Sequence, residues 1–149
     1  MAEALLLLHG PNLSQLGARD PDQYGTATLA ELEDLAAATA TELGASLVAD
    51  QYEAEGALVE RIHAARTDGT AAIIINAGAL THYSYALRDA LEMLDIPKIE
   101  LHLSNVHARE DFRSTSVIAA VVDGIIAGLG AAGYPLAVRA ALELVRNGT

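Results

Sequence analysis

Short apolar runs alternate with longer amphipathic stretches along this chain, and that rhythm constrains the fold more tightly than any single residue. Ala4–His9 (ALLLLH), Ser46–Gln51 (SLVADQ), Ala71–Asn76 (AAIIIN), Lys98–His102 (KIELH) and Gly124–Leu129 (GIIAGL) have the length and apolar content of buried strands. Between them, Thr28–Leu43, Glu55–Thr67, His82–Leu94 and Gly133–Val145 show helical spacing, as with Leu87, Leu91 and Leu94. Local signals agree. Thr28-Leu-Ala-Glu31 is a capping box, Gly44 closes the helix it opens, and Pro135 suits the first turn of the last helix.

Strands and helices that alternate in this way predict an α/β protein, a parallel sheet with helices on both faces. Five strands favour the doubly wound, flavodoxin-like order 2-1-3-4-5, in which strands 1, 3 and 4 are neighbours and the switch point lies between 1 and 3. The 149 residues, with no internal repeat or linker, suit a single domain, and a hydrophobic fraction of 52% is enough for a real core. No cysteine is present, so thiolate catalysis and disulfides are excluded. The opening MAEALLLLHG has no basic segment before its apolar run and reads as a strand, not a leader. No stretch is long enough to cross a bilayer, and a cytoplasmic protein without membrane partners is expected.

A net charge of −11 with no Lys/Arg run speaks against nucleic acid as a partner. It also means that an anionic ligand needs local positive charge. Neither GxGxxG nor GxxxxGK[ST] occurs, so nucleotide binding has no motif support. His9, His63 and His107 show no metal-ligand spacing, and His63 is expected on the surface of its helix.

Two loops, Gly10–Ala27 and Asn105–Asp123, are long for a compact domain, and both leave the carboxyl edge of the expected sheet, where open α/β folds bind ligands. Strand 1 ends in His9-Gly-Pro-Asn12, strand 3 in Asn76-Ala-Gly78, and strand 4 in Glu100-Leu-His102-Leu-Ser104. Either asparagine alone could be a turn cap, but three polar side chains meeting at adjacent strand ends suggest a site. The period of two along strand 4 puts Glu100, His102 and Ser104 on one face. A carboxylate two residues from a histidine can hold its tautomer, as a general acid or base requires.

The first long loop carries Arg19 five residues before Tyr24. A free phenol has a pKa near ~10, so ionising one at neutral pH costs ~4 kcal/mol, and a tyrosine base needs cations beside it. Arg109 and Arg113 supply two more, although pairing with surface acids is an alternative for both. Thr81-His82-Tyr83-Ser84 opens the third expected helix, where free N–H groups and a histidine suit a polyhydroxylated anion or simply a cap.

HGPNLSQLGARDPDQYG, IIINAGALTHYS, ELHLSNVHAREDFRSTS and GIIAGLGAAGYPLAVRAAL together resemble the type II 3-dehydroquinate dehydratases in order and spacing over nearly the whole chain. The resemblance implies anti elimination of water from 3-dehydroquinate to give 3-dehydroshikimate, with no metal or organic cofactor. Tyr24 would remove the C2 proton as tyrosinate, stabilised by Arg19 and Arg109. Asn12 would hold a water that stabilises the enolate, helped by backbone near Gly78. His102, oriented by Glu100, would protonate the departing hydroxyl. Asn76, Ser104 and the backbone of Leu103 would take the substrate carboxylate, and His82 and Arg113 the ring hydroxyls. Asp89 would reach into a neighbouring subunit of a trimer, within a homododecamer. Departures from the family pattern fall at His9, Ser14-Gln15, Ala77, Leu80 and Tyr83, and bear on pocket shape more than on the reaction.

Two other readings stay open on the sequence. A non-catalytic flavodoxin-like ligand-binding module would share the fold and tolerate loss of Tyr24. A related lyase acting on another hydroxylated cyclic acid would keep Tyr24 and His102.

Overall fold

A computed structural model describes residues 2–148. Its five strands, β1 (Ala4–His9), β2 (Ser46–Gln51), β3 (Ala72–Asn76), β4 (Lys98–His102) and β5 (Gly124–Ala127), form one sheet in the order β2-β1-β3-β4-β5. All four pairings are parallel. His9 lies level with Asn76, and Ile75 with Glu100, so the ends of β1, β3 and β4 share one edge.

The side-chain period of two sorts the strands into two cores. Leu5, Leu7, Ile74, Ile99 and Leu101 pack against α2 (Leu29–Glu42) and α5 (Gly133–Asn147), through Leu32, Ala36, Ala137, Val138 and Ala141. Leu6, Leu8, Ile73 and Ile75 pack against α3 (Glu55–Ala64) and α4 (Tyr85–Glu92), through Leu58, Ile62, Leu87 and Leu91. The central strands β1 and β3 are buried almost throughout, which explains their unbroken apolar runs, and β4 is equally buried although Lys98, Glu100 and His102 alternate with its apolar residues, whereas the edge strands β2 and β5 are partly exposed.

The helix signals are realised with one variation. Thr28 Oγ1 accepts the Glu31 N–H at 3.2 Å, but Glu31 Oε1 returns to the Thr28 hydroxyl rather than to its backbone. Gly44 takes a left-handed turn (φ 79°) after α2. No helix among the described residues is long and apolar enough to cross a membrane.

Several boundaries differ from expectation. The helix anticipated from His82 begins at Tyr85, because Ser84 accepts the Leu87 N–H at 3.0 Å and sets the N-cap there. His82 instead ends a 3-10 turn over Gly78–His82. Strand β5 stops at Ala127, where Gly128 turns the chain with φ 85°, and α3 ends at Ala64 rather than Thr67. Both long loops carry structure of their own. The first holds a 3-10 turn (Leu13–Gln15) and a short helix α1 (Pro21–Tyr24), and the second three 3-10 turns.

Candidate active site

The carboxyl edge of the sheet is built by close backbone approach. A Cβ on Gly10 would sit 2.2 Å from the Ala77 carbonyl oxygen, and one on Gly78 (φ 60°) 3.0 Å from that of Pro11. Glycine at both positions lets the loops after β1 and β3 meet over the strand ends. Asn12 is the one non-glycine residue with positive φ among those described (70°), a conformation asparagine tolerates better than most. Glu53 pins this turn. Its carboxylate accepts from the Asn12 N–H (2.7 Å), the Ser14 hydroxyl (3.0 Å) and Gln51 (2.8 Å). These donors, the Asn12 N–H first, hold its carboxyl below the ordinary range.

A cavity of about 600 Å³, counted to its open mouth, lies over the edge and is lined by Asn12, Arg19, Tyr24, Asn76, Gly78, His82, His102, Leu103, Ser104, Arg109 and Arg113 among others. It straddles the sheet. Asn76 leaves β3 on the α5 side, toward Tyr134, whereas His102 leaves β4 on the α4 side, toward His82. Three of the nine Lys/Arg residues line the cavity and no Asp or Glu does, so a chain of net charge −11 nevertheless offers an anion site.

Tyr24 ends α1, which Asp20 caps by accepting the Asp22 N–H at 3.0 Å. Its phenolic oxygen accepts from Arg19 Nη2 and from Arg109 Nη2, each at 2.8 Å. Arg19 also stacks on the ring, with Cζ 3.9 Å from the centroid. Arg109 joins the loop that carries Tyr24 to the strand end, since its Nη2 donates to Tyr24 and its Nη1 to Ser104 Oγ at 3.0 Å. The Gly10–Ala27 loop is therefore tied over the cavity by Arg19, Tyr24 and Arg109.

Glu100 Oε2 lies 2.6 Å from His102 Nε2. An ionised carboxylate can only accept, so Nε2 carries a proton and Nδ1 is the nitrogen left to exchange one with a ligand. Ser116 Oγ donates to the other Glu100 oxygen at 2.8 Å. The His82 ring lies nearly parallel to that of His102 (6.3 Å between centroids, 17°), and His82 Nδ1 is 2.8 Å from the Thr115 carbonyl. A carbonyl accepts, so Nδ1 is protonated and Nε2 can receive a hydroxyl proton. Burial pushes the His82 pKa down, which keeps the ring neutral.

Two expected residues stand apart from the cavity. Glu100 lies behind His102, and Asp89 is exposed on α4, outside the cavity. Sequence reasoning missed Glu53, Ser116 and Tyr134. Glu53 follows β2 at the same sheet edge, which was a signal of position. Tyr134 is a tyrosine in a small-residue helix, a polar handle in the core. Ser116 carried no signal. Among the described residues no three His, Cys, Asp or Glu side chains are grouped as a metal site.

A model of the family described as Dehydroquinase class II matches residues 3–142. The chain belongs to that family. It is 54% identical to the 3-dehydroquinate dehydratase of Bordetella avium (strain 197N), over 96% of this chain and 99% of the relative. With the 3-dehydroquinate dehydratase of Ectopseudomonas mendocina (strain ymp) it shares 55% identity, over 93% and 94%. The crystal structure of type II dehydroquinase from Propionibacterium acnes superposes with a TM-score of 0.90 at 42% identity, covering 98% of each chain. That from Butyrivibrio crossotus DSM 2876 gives 0.93 at 39%, covering 95% and 98%.

The departures from the usual class II dehydroquinase pattern can now be placed. Ala77 and Leu80 are buried in the core shared by α3 and α4, below the cavity, and Tyr83 is exposed. Ser14 holds Glu53. His9 is fully buried beside Asn76 on the neighbouring strand and contacts Tyr134.

Proposed function

We propose that this chain is a 3-dehydroquinate dehydratase, a hydro-lyase that removes water from 3-dehydroquinate by anti elimination through an enolate to give 3-dehydroshikimate. The observation that carries this reading is the Tyr24 phenolic oxygen between the two guanidinium groups of Arg19 and Arg109, at 2.8 Å from each. Family membership and the names of the relatives at 54% and 55% identity support the same reaction. The two charged donors fix the phenolic oxygen at the mouth of an anion-binding cavity, where a base would meet the ligand.

In this reading Tyr24 takes the C2 proton, and the developing enolate oxygen is met by a water on Asn12 and by backbone at Gly78. His102, held at Nε2 by Glu100, delivers its proton from Nδ1 to the departing hydroxyl. Asn76, Ser104 and the Leu103 backbone take the substrate carboxylate, while His82 Nε2 and Arg113 hold ring hydroxyls. Base and acid thus stand on different elements, the Gly10–Ala27 loop and the end of β4, and anti elimination needs the bound ring to lie between them. Asp89, exposed on α4, would complete the cavity of a neighbouring subunit in a trimer, four of which would make a dodecamer. The reaction belongs to the shikimate route to chorismate and the aromatic amino acids, or to quinate breakdown, and the protein would work in the cytoplasm.

The test is direct. Purified protein mixed with 3-dehydroquinate should produce the ultraviolet absorption of the conjugated enone. No rise in absorption with folded, oligomeric protein would remove the reading. A non-catalytic flavodoxin-like module would instead bind flavin or nucleotide and keep its ligand in Tyr24→Phe.

A further inference from the structure

His9 sits at the end of β1, is fully buried, and lies outside the cavity. Its Nε2 is 3.0 Å from the Tyr134 hydroxyl, which is 3.4 Å from Asn76 Nδ2. The hydrogens in this chain can be assigned by counting donors and acceptors. Asn76 Oδ1 accepts the Gly78 N–H at 3.3 Å, so the amide nitrogen is the end that faces Tyr134, and it can only donate. The Tyr134 oxygen therefore accepts from Asn76. Burial pushes the Tyr134 phenol up, so it keeps its proton, and the neighbouring acceptor for that proton is His9 Nε2. His9 must then be the neutral Nδ1–H tautomer. Burial pushes its pKa down to about 4, in keeping with a neutral ring. Nδ1 has no direct hydrogen-bond partner, and the Glu33 carboxylate of α2 lies 3.8 Å from it.

The opposite tautomer fares worse in the same count. With hydrogen on Nε2, the Tyr134 oxygen would receive two donors while its own hydrogen had no acceptor, at a cost of ~1–3 kcal/mol, and the bare Nδ1 would face a carboxylate. With hydrogen on Nδ1, the one unpaired group is an N–H directed at the Glu33 carboxylate 3.8 Å away.

From this geometry we propose that His9 is a positioning residue for substrate binding. Locked as the Nδ1–H tautomer, it takes the Tyr134 hydrogen, which turns the Tyr134 oxygen toward Asn76 and fixes the Asn76 amide with its second N–H facing the cavity. Only in that orientation does Asn76 offer a donor to an anionic group of the ligand. The reverse orientation would present a carbonyl oxygen and repel it. This rests on the dehydratase reading for the identity of the ligand, but not for the tautomer.

Two measurements test it. In histidine-15N-labelled wild-type protein, long-range proton–nitrogen correlation should show His9 protonated at Nδ1 and bare at Nε2 through the neutral range. Protonation at Nε2 overturns the relay, whatever the enzyme does. In kinetics on 3-dehydroquinate, His9→Leu should raise KM about tenfold, equivalent to ~1.4 kcal/mol, with kcat within about twofold. His9→Gln, whose carbonyl can reach the Tyr134 hydrogen, should bring KM back toward the wild-type value. An unchanged KM in His9→Leu, or a loss confined to kcat, overturns the proposal. If the wild-type protein turns over no 3-dehydroquinate, the dehydratase reading falls, and the tautomer measurement alone decides the relay.

Discussion

Replacing His9 should also change how the fold responds to acid, and the size of the effect follows from its burial. His9 is wholly enclosed, and burial lowers its pKa from 6.5 to about 4. The unfolded chain therefore binds a proton here near pH 6.5 that the folded chain refuses until about pH 4. Stability from this group is complete above the unfolded value and is lost as pH falls through that window. With these two values, acidification from pH 7 to pH 5 costs roughly 2 kcal/mol and from pH 7 to pH 4 roughly 3 kcal/mol. Glu33 opposes this in part, because burial raises its carboxyl and a raised acid favours the folded state as pH falls. Urea melts of wild type and His9→Gln, at matched protein concentration and at pH 7 and 5, isolate the histidine, since every other titrating group is shared. The wild type should lose about 2 kcal/mol more than the variant over that interval. Parallel curves would show that His9 is hydrated or already charged in the fold, and would refute the reasoning.

Other consequences are simpler to read. Glu100→Gln leaves His102 Nε2 beside a neutral amide that can present either end, so kcat should fall by roughly ten- to a hundredfold with little change in thermal midpoint. Comparable kcat would mean that Glu100 does not orient the acid. Gly10→Ala drives a Cβ to 2.2 Å from the Ala77 carbonyl oxygen, so the loops after β1 and β3 must part. It should cost roughly 1–3 kcal/mol of stability by chemical melts, and activity with it. A variant as stable as wild type would contradict the packing described at the sheet edge.

The sheet was legible because burial on two faces leaves a direct trace: β1 and β3 are apolar at every position but the last, and the α/β rhythm then leaves few topologies. Starts and stops were harder, since they depend on single hydrogen bonds. Ser84 moved the start of α4 past His82 by capping Leu87, and nothing in THYS singles out that serine over Thr81. At the site, the residues on strand ends could be placed from period and order alone. The contacts between elements could not. Tyr24 meets Arg109 across 85 positions, and His9 meets Tyr134 across 125. Their sequence neighbourhoods say only that a loop carries a tyrosine and a helix buries one. Tyr134 in particular looks like core until the strand register places His9 level with Asn76 beneath it.

The central claim is that Tyr24, between Arg19 and Arg109, is the base that opens the elimination. The most direct test is the steady-state turnover of 3-dehydroquinate by Tyr24→Phe beside wild type, with both proteins shown to have the same thermal midpoint and oligomeric state. Removal of the phenolic oxygen should abolish kcat by at least about 10²-fold with a modest change in KM, because the base acts in the transition state. Turnover within a few-fold of wild type would contradict the account.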